Sequence, residues 1–146
     1  MMLGRERIAE LIPQRGAMCL LDRVVSWDEA GIVCASASHR RGDHPLRARG
    51  RLHAVAGIEY AAQAVALHGA LAANSGKPIG PGVLASLRGV ELHAERLDLI
   101  KGELLAQAEA LVVQQRHMLY AFRVEGDGRI LLEGRAAIAL VEGAEP

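Results

Sequence analysis

Glu59 and Gln63 stand four residues apart in a stretch that is otherwise almost wholly apolar. From Ala54 to Ala73 the chain has no proline, two interior glycines (Gly57 and Gly69) and many Ala, Leu and Val residues. Such a segment reads as a helix of about five turns. Residues four apart share a helix face. A helix without a polar stripe is a buried one, and a carboxyl on it is costly unless it has a partner or a task. The task this environment suits is acid chemistry, because desolvation raises a carboxyl's pKa and keeps it protonated and donating. The matching base is an imidazole, which titrates near neutral pH. Of six histidines, His44 and His53 lie just ahead of the helix and His68 lies deep within it, whereas His39, His93 and His117 carry no signal. Without clustered cysteines or paired spacing they predict no metal site. The plainer readings are a structural Glu59–Gln63 hydrogen bond, a solvated loop histidine at 44, and a packed or interface histidine at 68.

The entrance to this helix is unusual. Positions 51 to 57 hold no Ser, Thr, Asp or Asn that would cap it. The N–H groups around Ala54 and Val55 are therefore expected to be free for a negatively charged oxygen. Ahead of them, residues 40 to 51 carry five arginines (40, 41, 47, 49 and 51) against a single acid, Asp43. That loop reads either as a solvated segment or as a landing surface for an anionic partner.

The elements that must position these groups follow from pattern. Arg5 to Leu11 is a short helix candidate ending near Pro13, and Gln14-Arg15-Gly16 is a turn. Met18 to Val25 reads as a strand start, Trp27 to Gly31 as a turn, and Ile32 to Ser38 as a strand. Asn74 to Gly82 is a turn-rich connection after the long helix. Strands are expected over Val83 to Leu92, Leu104 to Val113, Met118 to Val124 and Ile130 to Val141. Asp98 to Gly102 supplies one turn, and Glu125-Gly126-Asp127-Gly128 a hairpin. Helix and strands segregate along the chain, which predicts an α+β fold with an antiparallel sheet around one buried helix.

Composition bounds the rest. The 146 residues suit one domain spanning 1–146. At 51% apolar and a mean hydropathy of +0.15, the chain predicts an oligomer that covers what a monomer leaves exposed. The core is aliphatic, since Trp27, Tyr60, Tyr120 and Phe122 are its only aromatics. Zero net charge argues against nucleic-acid and membrane partners. The charged start MMLGRERIAEL does not read as a signal peptide. Cys19 and Cys34 have no metal or redox spacing and are expected as buried thiols in a cytoplasmic protein.

Four motifs carry a resemblance to a known family. Ile12-Pro13-Gln14-Arg15 followed by Cys19-Leu20-Leu21-Asp22-Arg23-Val24 is similar to the opening of hotdog-fold dehydratases that act on 3-hydroxyacyl groups of acyl carrier protein. Glu59-Tyr60-Ala61-Ala62-Gln63 resembles that family's central-helix motif, His44-Pro45 its histidine motif, and Leu87-Arg88-Gly89-Val90 its next strand. Gly57-Ile58-Glu59-Tyr60 looks closest to the FabZ-like branch linked to aryl polyene biosynthesis, the ApeP-like dehydratases. The chain departs from the pattern at the helix entrance, where His53-Ala54-Val55-Ala56 replaces Pro-Gly-Val-Leu, and at Asp43, where the family has glycine.

The resemblance implies a hotdog fold, no cofactor beyond the phosphopantetheine that carries the substrate, and acyl carrier protein as partner. It implies His44 as base, with His53 as competitor, and Glu59 as acid. Ala54 and Val55 would form the oxyanion site, Gln63 would hold Glu59, and Arg47 and Arg49 would meet the carrier. It also implies a dimer, or a trimer of dimers, in which the His and Glu of one site come from different subunits. Two alternatives are a hotdog acyl thioesterase and a non-catalytic half of a hotdog heterodimer.

Overall fold

The computed structural model of the chain describes residues 3–73 and 82–140. Strand β1 (Leu3–Gly4) leads into helix α1 (Arg5–Leu11), which buries Ile8 and Leu11 and stops before Pro13. Strands β2 (Arg23–Trp27) and β3 (Gly31–Ser36) form a hairpin closed at Asp28–Gly31. A 3₁₀ turn (Ala54–Ala56) opens helix α2 (Gly57–Ala72). Then come β4 (Gly82–Leu92), β5 (Leu104–Val113), β6 (His117–Gly126) and β7 (Arg129–Leu140).

These strands make one antiparallel seven-stranded sheet in the order β1-β2-β3-β5-β6-β7-β4. The sheet wraps around α2, which lies against β3, β5 and β6. This is the α+β arrangement that the sequence pattern predicts and the hotdog fold that the resemblance implies. Small residues let the layers approach. Ala61, Ala64 and Ala70 of α2 are buried, and a Cβ on Gly57 would lie 2.3 Å from a Leu132 methyl on β7. The core is aliphatic, with Tyr60 and Tyr120 its largest fully buried side chains. The β6–β7 hairpin turns through Asp127 and Gly128, both at positive φ (50° and 78°), as a two-residue Asp-Gly turn requires.

β2 and β6 each run two residues beyond their expected ends, to Trp27 and Gly126, and two further boundaries differ for one reason. The strand expected from Met18 begins only at Arg23. Upstream, the Met18 carbonyl and the Leu20 N–H are taken by the Gln63 amide, and the Leu20 carbonyl accepts from the Ser36 and Ser38 hydroxyls. Side chains thus satisfy backbone groups that a ladder would otherwise use. The strand expected to reach Ser38 ends at Ser36, where the chain enters a 3₁₀ turn over Ser38–Arg40. The expected connection after α2 lies outside the described residues except Gly82, which opens β4. Among the described residues no helix is long and apolar enough to cross a membrane.

Candidate active site

Glu59 sits in the first turn of α2, half-buried. Its Oε2 is buried and has no hydrogen-bond partner. Burial pushes its carboxyl above the usual range, with the Gln63 amide acting in the opposite direction. Gln63, fully buried, spends its own amide mainly on the chain below. Its Nε2 donates to the Met18 carbonyl at 2.7 Å, and its Oε1 accepts from the Leu20 N–H at 2.9 Å. It pins the segment before β2 to the helix beneath Glu59.

His44 lies in the arginine-rich loop but is not solvated: it is 5% exposed. Its Nδ1 accepts the Leu46 N–H at 3.0 Å, so the neutral ring carries its proton on Nε2. That Nε2–H donates to the Tyr60 hydroxyl at 3.0 Å. The Tyr60 hydroxyl donates onward to Ser38 Oγ at 2.7 Å, and Ser38 to the Leu20 carbonyl. Burial, and then the Arg47 and Arg41 charges, lower the His44 pKa and favour the neutral ring. The same burial pushes the Tyr60 phenol up to about 12. In this state both ring nitrogens of His44 are occupied.

The helix entrance is half as open as expected. The Ala54 N–H is not available as an oxyanion donor, because it donates to the Glu95 carbonyl at 2.9 Å. The Val55 N–H has no such bond among the described residues, and Val55 is 56% exposed. His53 occupies the N-cap position with its side chain exposed and making no cap hydrogen bond. Its backbone bridges to Arg96.

The two arginines separate. Arg47 is an internal strut. Its guanidinium donates to the carbonyls of Arg41, Gly50 and His39 and approaches Asp98 at 3.8 Å. Asp98, held well below the ordinary carboxylate range chiefly by Arg96, also accepts the Leu52 N–H. Arg49 is exposed, at φ 54°, with no ion pair among the described residues.

Sequence reasoning missed the Tyr60–Ser38 relay and the Asp98 anchor. One signal for the relay was present: a tyrosine next to Glu59 on a helix otherwise free of aromatics, with two serines spaced by two in an apolar strand. Asp98 had none, since only the fold brings it to Arg47 and Leu52.

Two clefts among the described residues include neither His44 nor Glu59. A crevice beside Ile58, Ala62, Val65 and Ile138 holds only about 10 Å³. A cleft of about 960 Å³ lies over the polar face of the sheet and includes neither residue.

Comparison with known proteins identifies the family. The family model for ApeP-like proteins, described as ApeP dehydratase, matches residues 6–144. The chain belongs to the ApeP-like dehydratase family. Among solved structures, this ApeP-like chain is similar to the dehydratase heterocomplex ApeI:P from Xenorhabdus doucetiae. That match has 21% identity and a TM-score of 0.81, covering 98% of this chain and 94% of the other. It is also similar to a thioesterase from Pseudomonas aeruginosa (18% identity, TM-score 0.58, 82% and 80% covered). A thioesterase from Haemophilus influenzae is a third neighbour (15% identity, TM-score 0.58, 84% and 81% covered). At these identities the structural matches speak to the fold. A search of curated proteins found no match.

Proposed function

We propose that this chain dehydrates a 3-hydroxyacyl thioester, carried on the phosphopantetheine arm of an acyl carrier protein, to the trans-2-enoyl thioester. The setting would be cytoplasmic fatty-acid or polyene-type biosynthesis, which suits two buried free cysteines. A base removes the C2 proton and the thioester oxygen takes up the charge. The C3–O bond then breaks as an acid protonates the departing hydroxyl, releasing water. Glu59 is the acid, His44 the base and the Val55 N–H the donor to the thioester oxygen. Gln63 supports Glu59 from below. The observation that carries this reading is the unpartnered buried oxygen of Glu59, on a carboxyl that burial favours as protonated. A structural glutamate would have its partner in place.

Geometry favours a site shared between two chains. His44 engages Tyr60, and consecutive residues on a helix diverge by about 100°, so Glu59 faces elsewhere. His44 of one chain would then work with Glu59 of another, in a homodimer, a trimer of dimers or a pair with a hotdog paralogue. The likeness to the ApeI:P heterocomplex supports a hotdog partner. To act as base, His44 must release the Leu46 amide. That occupancy favours one second reading: this chain lends Glu59 to a heterodimeric site whose histidine is the partner's. Turnover of a 3-hydroxyacyl-carrier substrate tests both, using the pure chain with and without a hotdog partner, beside His44→Ala and Glu59→Gln. Loss in both variants supports the first reading, and loss in Glu59→Gln alone selects the second. Release of free acid in place of enoyl product would overturn both in favour of a thioesterase.

A further inference from the structure

A second cluster of chemistry lies on the polar face of the sheet, away from His44 and Glu59. The β4–β7 ladder sets Glu91 directly opposite Glu133. Two carboxylates facing each other across a ladder repel. His93, just past the end of β4, is fixed on the same rail by its N–H bond to the Leu131 carbonyl, 2.8 Å. Its Nε2 lies 2.8 Å from Glu133 Oε2 and 3.6 Å from Glu91 Oε2. One donor atom from each residue falls within 4.8 Å of the others.

The neighbouring cations do not relieve the carboxylate pair. Arg123 stands opposite Glu133 on β6, but its guanidinium turns to Gln107 and Glu125. Arg88 and Arg135 face each other one step along the β4–β7 ladder, and neither forms an ion pair with Glu91 or Glu133 among the described residues. A neutral imidazole can hydrogen-bond to only one of the two carboxylates through Nε2.

We propose that Glu91, His93 and Glu133 bind a divalent transition-metal ion of the zinc class. Zinc bonds of 2.0–2.2 Å in tetrahedral array separate neighbouring donor atoms by about 3.4 Å, which the two observed gaps bracket. The ion therefore fits with small movements of surface side chains, because all three residues stand on the rails of one ladder. Three protein ligands leave the fourth position to water. The imidazole favours zinc over magnesium and calcium, which prefer all-oxygen sites. Sequence spacing hides the site, since Glu133 joins Glu91 and His93 only through strand register. The bound ion ties the end of edge strand β4 to β7, two residues before Glu95, whose carbonyl holds the Ala54 N–H at the helix entrance.

The test is calorimetric titration of zinc chloride into untagged protein at neutral pH, beside His93→Ala, Glu91→Gln and Glu133→Gln. All three positions are at the surface or half-buried, and urea unfolding without metal checks that each variant folds. The expected result is one ion per chain in the parent and at least tenfold weaker binding in each variant. Magnesium should give no comparable heat. No zinc heat in the parent, undiminished binding in His93→Ala, or magnesium binding as tight as zinc would each overturn the proposal.

Discussion

Removing the Tyr60 hydroxyl tests whether the buried relay organises the histidine loop. In Tyr60→Phe the ring stays in the core, where it is fully buried, so no cavity forms and only polar terms change. Two hydrogen bonds disappear, to His44 Nε2 at 3.0 Å and Ser38 Oγ at 2.7 Å. Ser38 keeps its bond to the Leu20 carbonyl, so its loss is small, roughly 0.5–1 kcal/mol. His44 fares worse. Leu46 holds Nδ1 as the acceptor, so the ring cannot change tautomer and its Nε2–H is left buried without an acceptor, at about 1–3 kcal/mol. The expected destabilisation is about 2–3 kcal/mol by urea unfolding with an unchanged m-value. His44→Ala and the double variant complete a cycle. Once the imidazole is gone, the hydroxyl has lost one of its two partners. The pair should therefore couple by about 1–2 kcal/mol. Additivity within about 0.3 kcal/mol would refute the relay, whatever the single variants cost.

Other outcomes follow from the same geometry. Glu59→Gln should cut turnover at least a hundredfold while leaving stability at pH 7 equal or higher. Burial raises the Glu59 pKa in the folded state, so the folded chain binds the extra proton, and ionising the group as pH rises through that pKa opposes folding; a marked loss of stability would contradict this. His44 and His39 run the other way. Burial lowers both, so the stability they contribute is present above the unfolded value near 6.5 and is lost as pH falls below it, which urea unfolding from pH 7.5 to 5 will read. Arg47→Ala should destabilise by roughly 2 kcal/mol and slow carrier-bound and short thioester substrates alike. Arg49→Ala should weaken only the carrier-bound substrate, and equal effects on both substrates would remove Arg49 from any carrier contact.

Local signals in this chain were dependable and long-range polar links were not. The strand expected over Leu104–Val113 has those bounds, its alternation holding as far as Ala110, where a register shift leaves Val112 exposed, and the apolar run after His53 is the central helix, because both depend on neighbours in sequence. The expected strand from Met18 failed because Gln63, 45 positions away, captures the Met18 carbonyl. His44 reads as a loop residue until Tyr60 reaches it from the helix. The uncapped entrance predicted two open N–H groups, and Glu95 closes one of them. Burial could be foreseen from composition, but the partners of buried polar atoms depend on register and loop path.

The described chain also looks like half of something. Edge strand β4 is 11 residues long, with Leu87 and Leu92 exposed, and natural edges of that length are seldom left uncovered. Glu59 Oε2 lacks a partner and His44, in the loop ahead of the helix, engages Tyr60, so the two functional groups do not meet within one chain. If two identical copies share each site, a symmetric dimer holds two sites, each with one His44 and the other copy's Glu59. His44→Ala and Glu59→Gln are then each inactive alone. Refolded together they form mixed dimers in about half the cases, and each mixed dimer carries one doubly altered site and one intact site. Activity should return to about a quarter of the parental value per chain. Recovery to that level would place the pair across two copies of this chain. No recovery, with both variants folded and shown to exchange, would rule out the shared homodimeric site and leave a hotdog paralogue as the source of the missing group.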